Sequence, residues 1–159
     1  MNKLGVTENL LIDIEKQIVN LKLNLIDEYF TFNQEKLDFN YLKQLHSFLF
    51  FDFYCEEEVG TRSFDKNEEE LIDGYFQQIN YICINQKENV KEILKLIKEI
   101  WHLQLFEVGN TRTLLAYLKI LNLAYFLDLD IDVNQNIVSN PAVFDFNKQV
   151  NQKRLTKSK

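Results

Sequence analysis

The sequence predicts an all-α fold, and three observations predict it. Only one proline and four glycines punctuate 159 residues, too few for the tight turns of a many-stranded protein. Apolar residues make up 46% of the chain, which excludes disorder for most of it. Those residues recur three and four positions apart over long stretches, the spacing of one helix face. A chain of this length supports one domain with a substantial core. We expect that domain over residues 1–150, followed by a basic tail at 151–159 that reads as a solvated, mobile end.

Each element has its own signal. Thr7 stands where an N-cap stands, with Glu8 in the following turn, an acid well placed against the helix dipole. Leu10, Leu11, Ile14, Ile18, Leu21, Leu25 and Ile26 then follow at helical spacing, and this helix is expected to reach Tyr29 or Phe30. A second helix is expected from Asp38 to Phe53, with Leu42, Leu45, Leu49 and Phe53 on one face. The stretch from Glu56 to Lys66 holds Gly60 and short polar residues, the composition of a loop or a small β-hairpin. Helices are expected again from Glu68 to Ile84 and from Val90 to Leu103. A fifth begins at Asn110 and runs to Leu127, interrupted only by Lys119 and Asn122 from Leu114 onward. That run is too short to span a bilayer and reads as a buried core helix. Asp128 to Asp132 looks like a helix exit, and a weaker segment surrounds Phe144 to Val150. There is no internal repeat.

Charge and cysteine usage narrow the function classes. The formal charge of −6 argues against general nucleic-acid affinity. The charge is uneven, because Lys148, Lys153, Arg154, Lys157 and Lys159 lie in a closing stretch without an acid. Cys55 and Cys83 fit neither a metal spacing nor a disulfide framework. With no secretory leader in the opening residues, we expect a cytoplasmic protein without membrane segments. Apolar helix faces serve a core or a homodimer equally well.

The stretch most suggestive of chemistry is Leu105-Phe106-Glu107-Val108-Gly109-Asn110-Thr111-Arg112-Thr113. A helix begins with free backbone N–H groups and a partial positive charge. A glycine just before it lets an anion come close, and an arginine on its first turn adds charge-assisted bonds. Gly109, Asn110, Thr111 and Arg112 fit a phosphate or nucleotide site of that kind. Read alone, the same residues also describe an ordinary loop and N-cap.

The loop resembles the signature of the Fic (Fido) family, whose usual form is HPFx(D/E)GNGRxxR. Two further stretches carry the resemblance. Asn2-Lys3-Leu4-Gly5-Val6-Thr7 is similar to the family opening NKLGIT, and Leu45-His46-Ser47-Phe48-Leu49-Phe50-Phe51-Asp52-Phe53-Tyr54 to the helix iHxxLFxDiY. In all, the resemblance covers residues 2–127. It implies a helical bundle with the signature helix at its centre and a small β-hairpin flap, here Gly60, Thr61 and Arg62, beside the loop. Phe106 matches the phenylalanine that anchors the loop. His46 matches a helix position of the family and not the catalytic one, so it is expected in the core. His102 reaches the loop only by a two-residue shift that moves Phe106 off its match.

The resemblance also implies an activity, transfer of AMP from ATP to a protein hydroxyl, and this chain departs from it. The family's catalytic histidine, the general base, is replaced by Gln104, and a carboxamide has no useful proton affinity near neutral pH. Its acidic residue, which holds the metal, is replaced by Val108, and magnesium needs hard oxygen ligands. Glu107 is adjacent but one position off. Leu115 stands at the second arginine, and Arg62 comes one residue late. The family's inhibitory helix pairs a serine or threonine with a glutamate four residues on, followed by glycine or asparagine. Thr31 to Glu35 has the spacing, but Lys36 follows.

Two expectations follow. One is an inactive relative of protein AMP-transferases that binds a protein partner or, at Gly109, Asn110, Thr111 and Arg112, the phosphates of ATP or another nucleotide. The other is a weakly active transferase using ATP or another phosphate-containing donor. Magnesium has little to hold it in either case.

Overall fold

The computed structural model describes residues 4–26, 37–54 and 60–129, and the backbone of 131–132 and 137–138. Within them the chain is an all-helical bundle. Its helices are α1 (Glu8–Asn24), α2 (Phe39–Phe50), α3 (Lys66–Asn85), α4 (Val90–His102) and α5 (Asn110–Tyr125). Two-residue strands β1 (Ile131–Asp132) and β2 (Ile137–Val138) pair antiparallel after them. No described helix is long and apolar enough to cross a membrane.

Local chemistry sets most of the helix starts. The Thr7 hydroxyl accepts from Leu10 N–H at 3.4 Å, and the Asp38 carboxylate accepts from Tyr41 N–H at 3.1 Å. The third helix starts at Lys66, two residues before the expected Glu68, because Asp65 and Glu68 form a capping box. Reciprocal bonds of this kind satisfy two backbone donors at once.

Helix ends draw on contacts both near and far in the sequence. α1 closes at Asn24 and Ile26 is helical again; the expected end at Tyr29 or Phe30 lies in residues 27–36, outside the described set. Lys119 of α5 donates to the carbonyls of Leu23 and Asn24 at 2.8 and 3.1 Å. It thereby takes over acceptors at the helix end. The second helix stops at Phe50 and not Phe53, tightening into a turn in which Phe53 N–H bonds the Phe50 carbonyl. The fifth stops at Tyr125 and not Leu127. There Phe126 turns left-handed, and Asn122 receives and returns hydrogen bonds with the Leu129 backbone at 2.9 Å each. The segment at Phe144–Val150 and the basic tail lie outside the described residues.

α5 occupies the centre. It packs against α2, α3 and α4, and twelve of its sixteen residues are buried. A helix apolar on all sides belongs inside a bundle. Its polar atoms therefore need protein partners. Tyr117 hydroxyl donates to the Leu37 carbonyl at 2.6 Å, and Tyr125 hydroxyl to Asn80 Oδ1 at 3.2 Å. Asn80 Nδ2 returns to the carbonyls of Leu37 and Phe76, each at 2.9 Å. Buried Cys83, a free thiol, lies on the same helix as Asn80.

Burial holds these groups neutral. It pushes the Cys83 thiol up to about 12 and the Tyr41 and Tyr125 phenols to about 12. Tyr117, fully enclosed, is raised well above its ordinary value. A pKa raised by folding means that the unfolded chain loses its proton first as pH rises. Stability from these groups is therefore complete below about pH 9 and drains away between about 9 and 12. Thermal unfolding followed by circular dichroism across that range should show a falling midpoint. Cys83→Val should remove the earliest part of the fall.

Candidate functional site

The loop between α4 and α5 is built from both of its ends. α4 closes at His102, and Leu103 and Gln104 N–H groups bond the carbonyls of Ile100 and Trp101 at 3.1 and 3.0 Å. Gln104 then turns left-handed, with φ 48°. Such a residue at a helix exit releases the chain sideways, at some strain for a residue other than glycine. Its carboxamide points back, Nε2 donating to the Trp101 carbonyl at 2.9 Å. Leu105 and Phe106 enter the core, and Glu107 stays exposed.

Asn110 closes the loop. Its Oδ1 accepts from Phe106 N–H at 3.0 Å, and its Nδ2 donates to the Phe106 carbonyl at 2.8 Å and to Gln104 Oε1 at 3.3 Å. One buried side chain thus satisfies both backbone groups of the anchor residue. Phe106 stacks on His46 of α2, ring centroids 3.9 Å apart and planes within 3°. His46 is fully buried, and its Nε2 donates to the Val108 carbonyl at 2.7 Å. A carbonyl acceptor requires a proton on Nε2. His46 is a core residue holding the loop, as expected. His102 is exposed beside Trp101, outside the loop.

Gly109 is required on two counts. Its φ of 78° is left-handed, and a Cβ there would overlap the Phe50 ring. The space beside this glycine is filled by the core, so packing alone accounts for it. Thr113 Oγ1 donates to the Gly109 carbonyl at 2.7 Å. The start of α5 has no side-chain cap. Thr111, almost wholly buried, has a hydroxyl without a hydrogen-bond partner among the described residues. Leu115, at the family's second arginine, is fully buried.

Arg112 is engaged within the chain. Its Nη2 meets Glu15 Oε1 of α1 at 2.9 Å, with both side chains largely buried, and its guanidinium lies 5.7 Å from the Phe50 ring centroid. Tyr54 hydroxyl donates to the other Glu15 oxygen at 2.5 Å. Sequence reading missed Glu15 and Tyr54. The signal for Glu15 was present, since it falls on the same α1 face as Leu11, Val19 and Leu23, all buried. A carboxylate on an apolar arc points to a buried partner.

The expected flap includes residues 56–59, which lie outside the described set. Its described part touches the loop. Thr61 forms an antiparallel bridge with Phe106, and Arg62 N–H bonds the Leu105 carbonyl at 3.0 Å. Arg62 Nε donates to the Leu103 carbonyl at 3.1 Å, at the exit of α4, and Nη2 to Glu68 at 2.6 Å. That hydrogen bond holds the Glu68 carboxyl below its usual range. Gly60 is exposed with open space around it. Gln104, Phe106, Asn110, Thr61 and Arg62 thus come together around one turn, and Arg112 faces α1 instead.

The candidate cofactors fit this turn unequally. Val108 offers magnesium an apolar side chain, and its carbonyl is taken by His46. Among the described residues, no three His, Cys, Asp or Glu side chains gather to hold a metal. The uncapped start of α5 and the Thr111 hydroxyl fit an anion better. Neither a family model nor a curated protein matches the chain, so the Fic resemblance rests on the three stretches that carry it.

Two substitutions test the loop's construction by denaturant unfolding. Gly109→Ala should cost about 2–4 kcal/mol, combining left-handed strain with overpacking against Phe50. Asn110→Ala should cost about 2–3 kcal/mol by leaving the Phe106 backbone groups unpaired. A loss below about 0.5 kcal/mol in either variant would contradict the geometry.

Proposed function

We propose that the chain is a catalytically inactive relative of the Fic-type protein AMP-transferases that works as a binding protein. One observation carries the reading: Gln104, Asn110 and Arg112 direct their polar side chains to partners within the chain. Transfer to a hydroxyl needs a group that accepts its proton, and Gln104 supplies none. Losing such a base costs about 10²–10⁴-fold. The charge that develops on transferring phosphates needs a cation beside it. Here Arg112 is already matched by Glu15, and no side-chain oxygen stands at Val108.

What remains at the loop is an anion site with a built-in competitor. The uncapped N–H groups of α5, the Thr111 hydroxyl and the Arg112 guanidinium suit a nucleotide phosphate. Glu15 suits Arg112 equally well and is attached to the same chain. Nucleotide therefore binds weakly, and the protein partner engages other surfaces of the bundle.

Incubating the protein with labelled ATP, a cell lysate and magnesium should leave no label on any protein above the no-enzyme control. Labelling lost in Arg112→Ala would sink the inactive reading in favour of a weak transferase. Calorimetric titration with ATP separates the anion part. Glu15→Gln should tighten ATP by about three- to tenfold, since it removes one partly buried negative charge beside Arg112. Silence in both proteins at millimolar ATP would leave an interaction module without a nucleotide site.

A further inference from the structure

A concavity separate from the loop side chains lies between the first turns of α2, the extended stretch after Gly60, and the first turns of α3. Its volume is about 340 Å³, within the range of small-ligand sites. Its lining combines the rings of Phe39 and Phe64, the carboxylates of Asp38, Glu69 and Asp73, and the ammonium of Lys43. The two rings meet edge to face at 6.0 Å, and Phe39 stacks on buried Phe76 at 5.8 Å. The aromatic wall is thus fixed to the core. Each ring already carries a cation. Lys43 Nζ lies 4.8 Å from the Phe39 centroid, and the Arg62 guanidinium 4.5 Å from that of Phe64. Ring faces with this environment favour positive charge.

The three carboxylates differ. Asp38 is spent on capping α2 through Tyr41 N–H, and the helix dipole offsets its charge. Glu69 and Asp73 stand four residues apart on one face of α3, where like charges repel. Among the described residues neither side chain makes an ion pair or hydrogen bond. Lys43 offsets one of these charges and leaves the cavity negative. The acids do not converge as metal ligands, since no metal-holding group occurs among the described residues. Separated carboxylates beside aromatic rings suit an extended organic cation and not a bare ion.

We propose that this cavity binds a protonated alkylamine, with the ammonium between Glu69 and Asp73 and the alkyl stem along Phe39 and Phe64. A lysine side chain of a protein partner and a free amine share that chemistry. The site uses none of residues 104–112 and shares only Thr61 of the flap segment with that turn, so its test is separate from that of the inactive-transferase reading.

Calorimetric titration of the full chain with pentylamine, neutral 1-pentanol and Nα-acetyl-lysine N-methylamide tests the proposal. The amines should bind and the alcohol should not, and raising salt to about 0.5 M should weaken the amines by shortening the screening length. Glu69→Gln with Asp73→Asn should weaken them about tenfold, each exposed ion pair accounting for a few-fold. Lys43→Gln should tighten them by removing the resident cation. Both acids are exposed, and an unchanged thermal midpoint will verify that the double variant folds. Tighter binding of the capped lysine than of pentylamine identifies a protein partner, and the reverse identifies a free amine. Equal binding of alcohol and amine, unchanged binding in the double variant, or no binding of either amine overturns the proposal.

Discussion

The burial of α5 is the constraint on which the rest of this structure depends. A central helix brings its first turn into the protein, where water cannot satisfy its polar groups. The loop before it pairs its own polar groups within the chain, while the start of α5 has no side-chain cap. Asn110 closes on both backbone groups of Phe106, Thr113 returns to the Gly109 carbonyl, and His46 takes the carbonyl of Val108. None of these bonds needs a ligand. The stack of Phe106 on His46 then fixes the loop to α2, and the Thr61 bridge fixes the flap segment to the loop. Removing the helix from the centre would remove the reason for each.

Charge is handled by the same logic over longer distances. Arg112 extends from the first turn of α5 into a partly closed space, and Glu15 on α1 answers it across 97 positions of sequence. A pair of this kind adds little net stability, because desolvating both charges consumes most of their attraction. Its effect is asymmetric. Either partner left alone would be a buried charge, so each commits the other. Tyr54 adds a third group to Glu15 and joins the end of α2 to the same point. α1 is thus held to the bundle by an ion pair as well as by its apolar face, and Lys119 holds its C-terminal end.

The helices were legible because their information is local. Thr7, Asp38 and the spacing of apolar residues can be read within a few positions of where they act. The boundaries that moved have mixed causes, a local capping box at Lys66 and a contact from far along the chain at Asn24. Nothing near Asn24 announces that Lys119, 95 positions on, will take its carbonyl. The loop shows the same division. Its residues stand out in the sequence, but their partners do not: His46 is 62 positions from Val108, and Phe50 fills the space beside Gly109. Sequence spacing singles out the loop residues and is silent on which of their atoms are already in use.

That silence bears on what a short motif can say. Phe106, Gly109 and Asn110, three of the four signature residues kept in the loop, each have a sufficient reason in the fold. Phe106 is the hydrophobic anchor, Gly109 meets a left-handed turn against Phe50, and Asn110 pairs the anchor's backbone. A chain that keeps a buried central helix entered by such a turn needs residues of this kind whether or not it performs transfer. Gln104 and Val108 differ from the family pattern at its base and its acid, as Leu105, Thr111 and Leu115 do elsewhere in it. Gln104 still contributes a bond to Asn110, and Val108 a carbonyl to His46, so both retain backbone or scaffold roles without a base or an acid. The motif therefore tracks the shape of the turn more closely than any one chemistry. Arg112 too has a reason in the fold, as the partner of the buried Glu15 carboxylate.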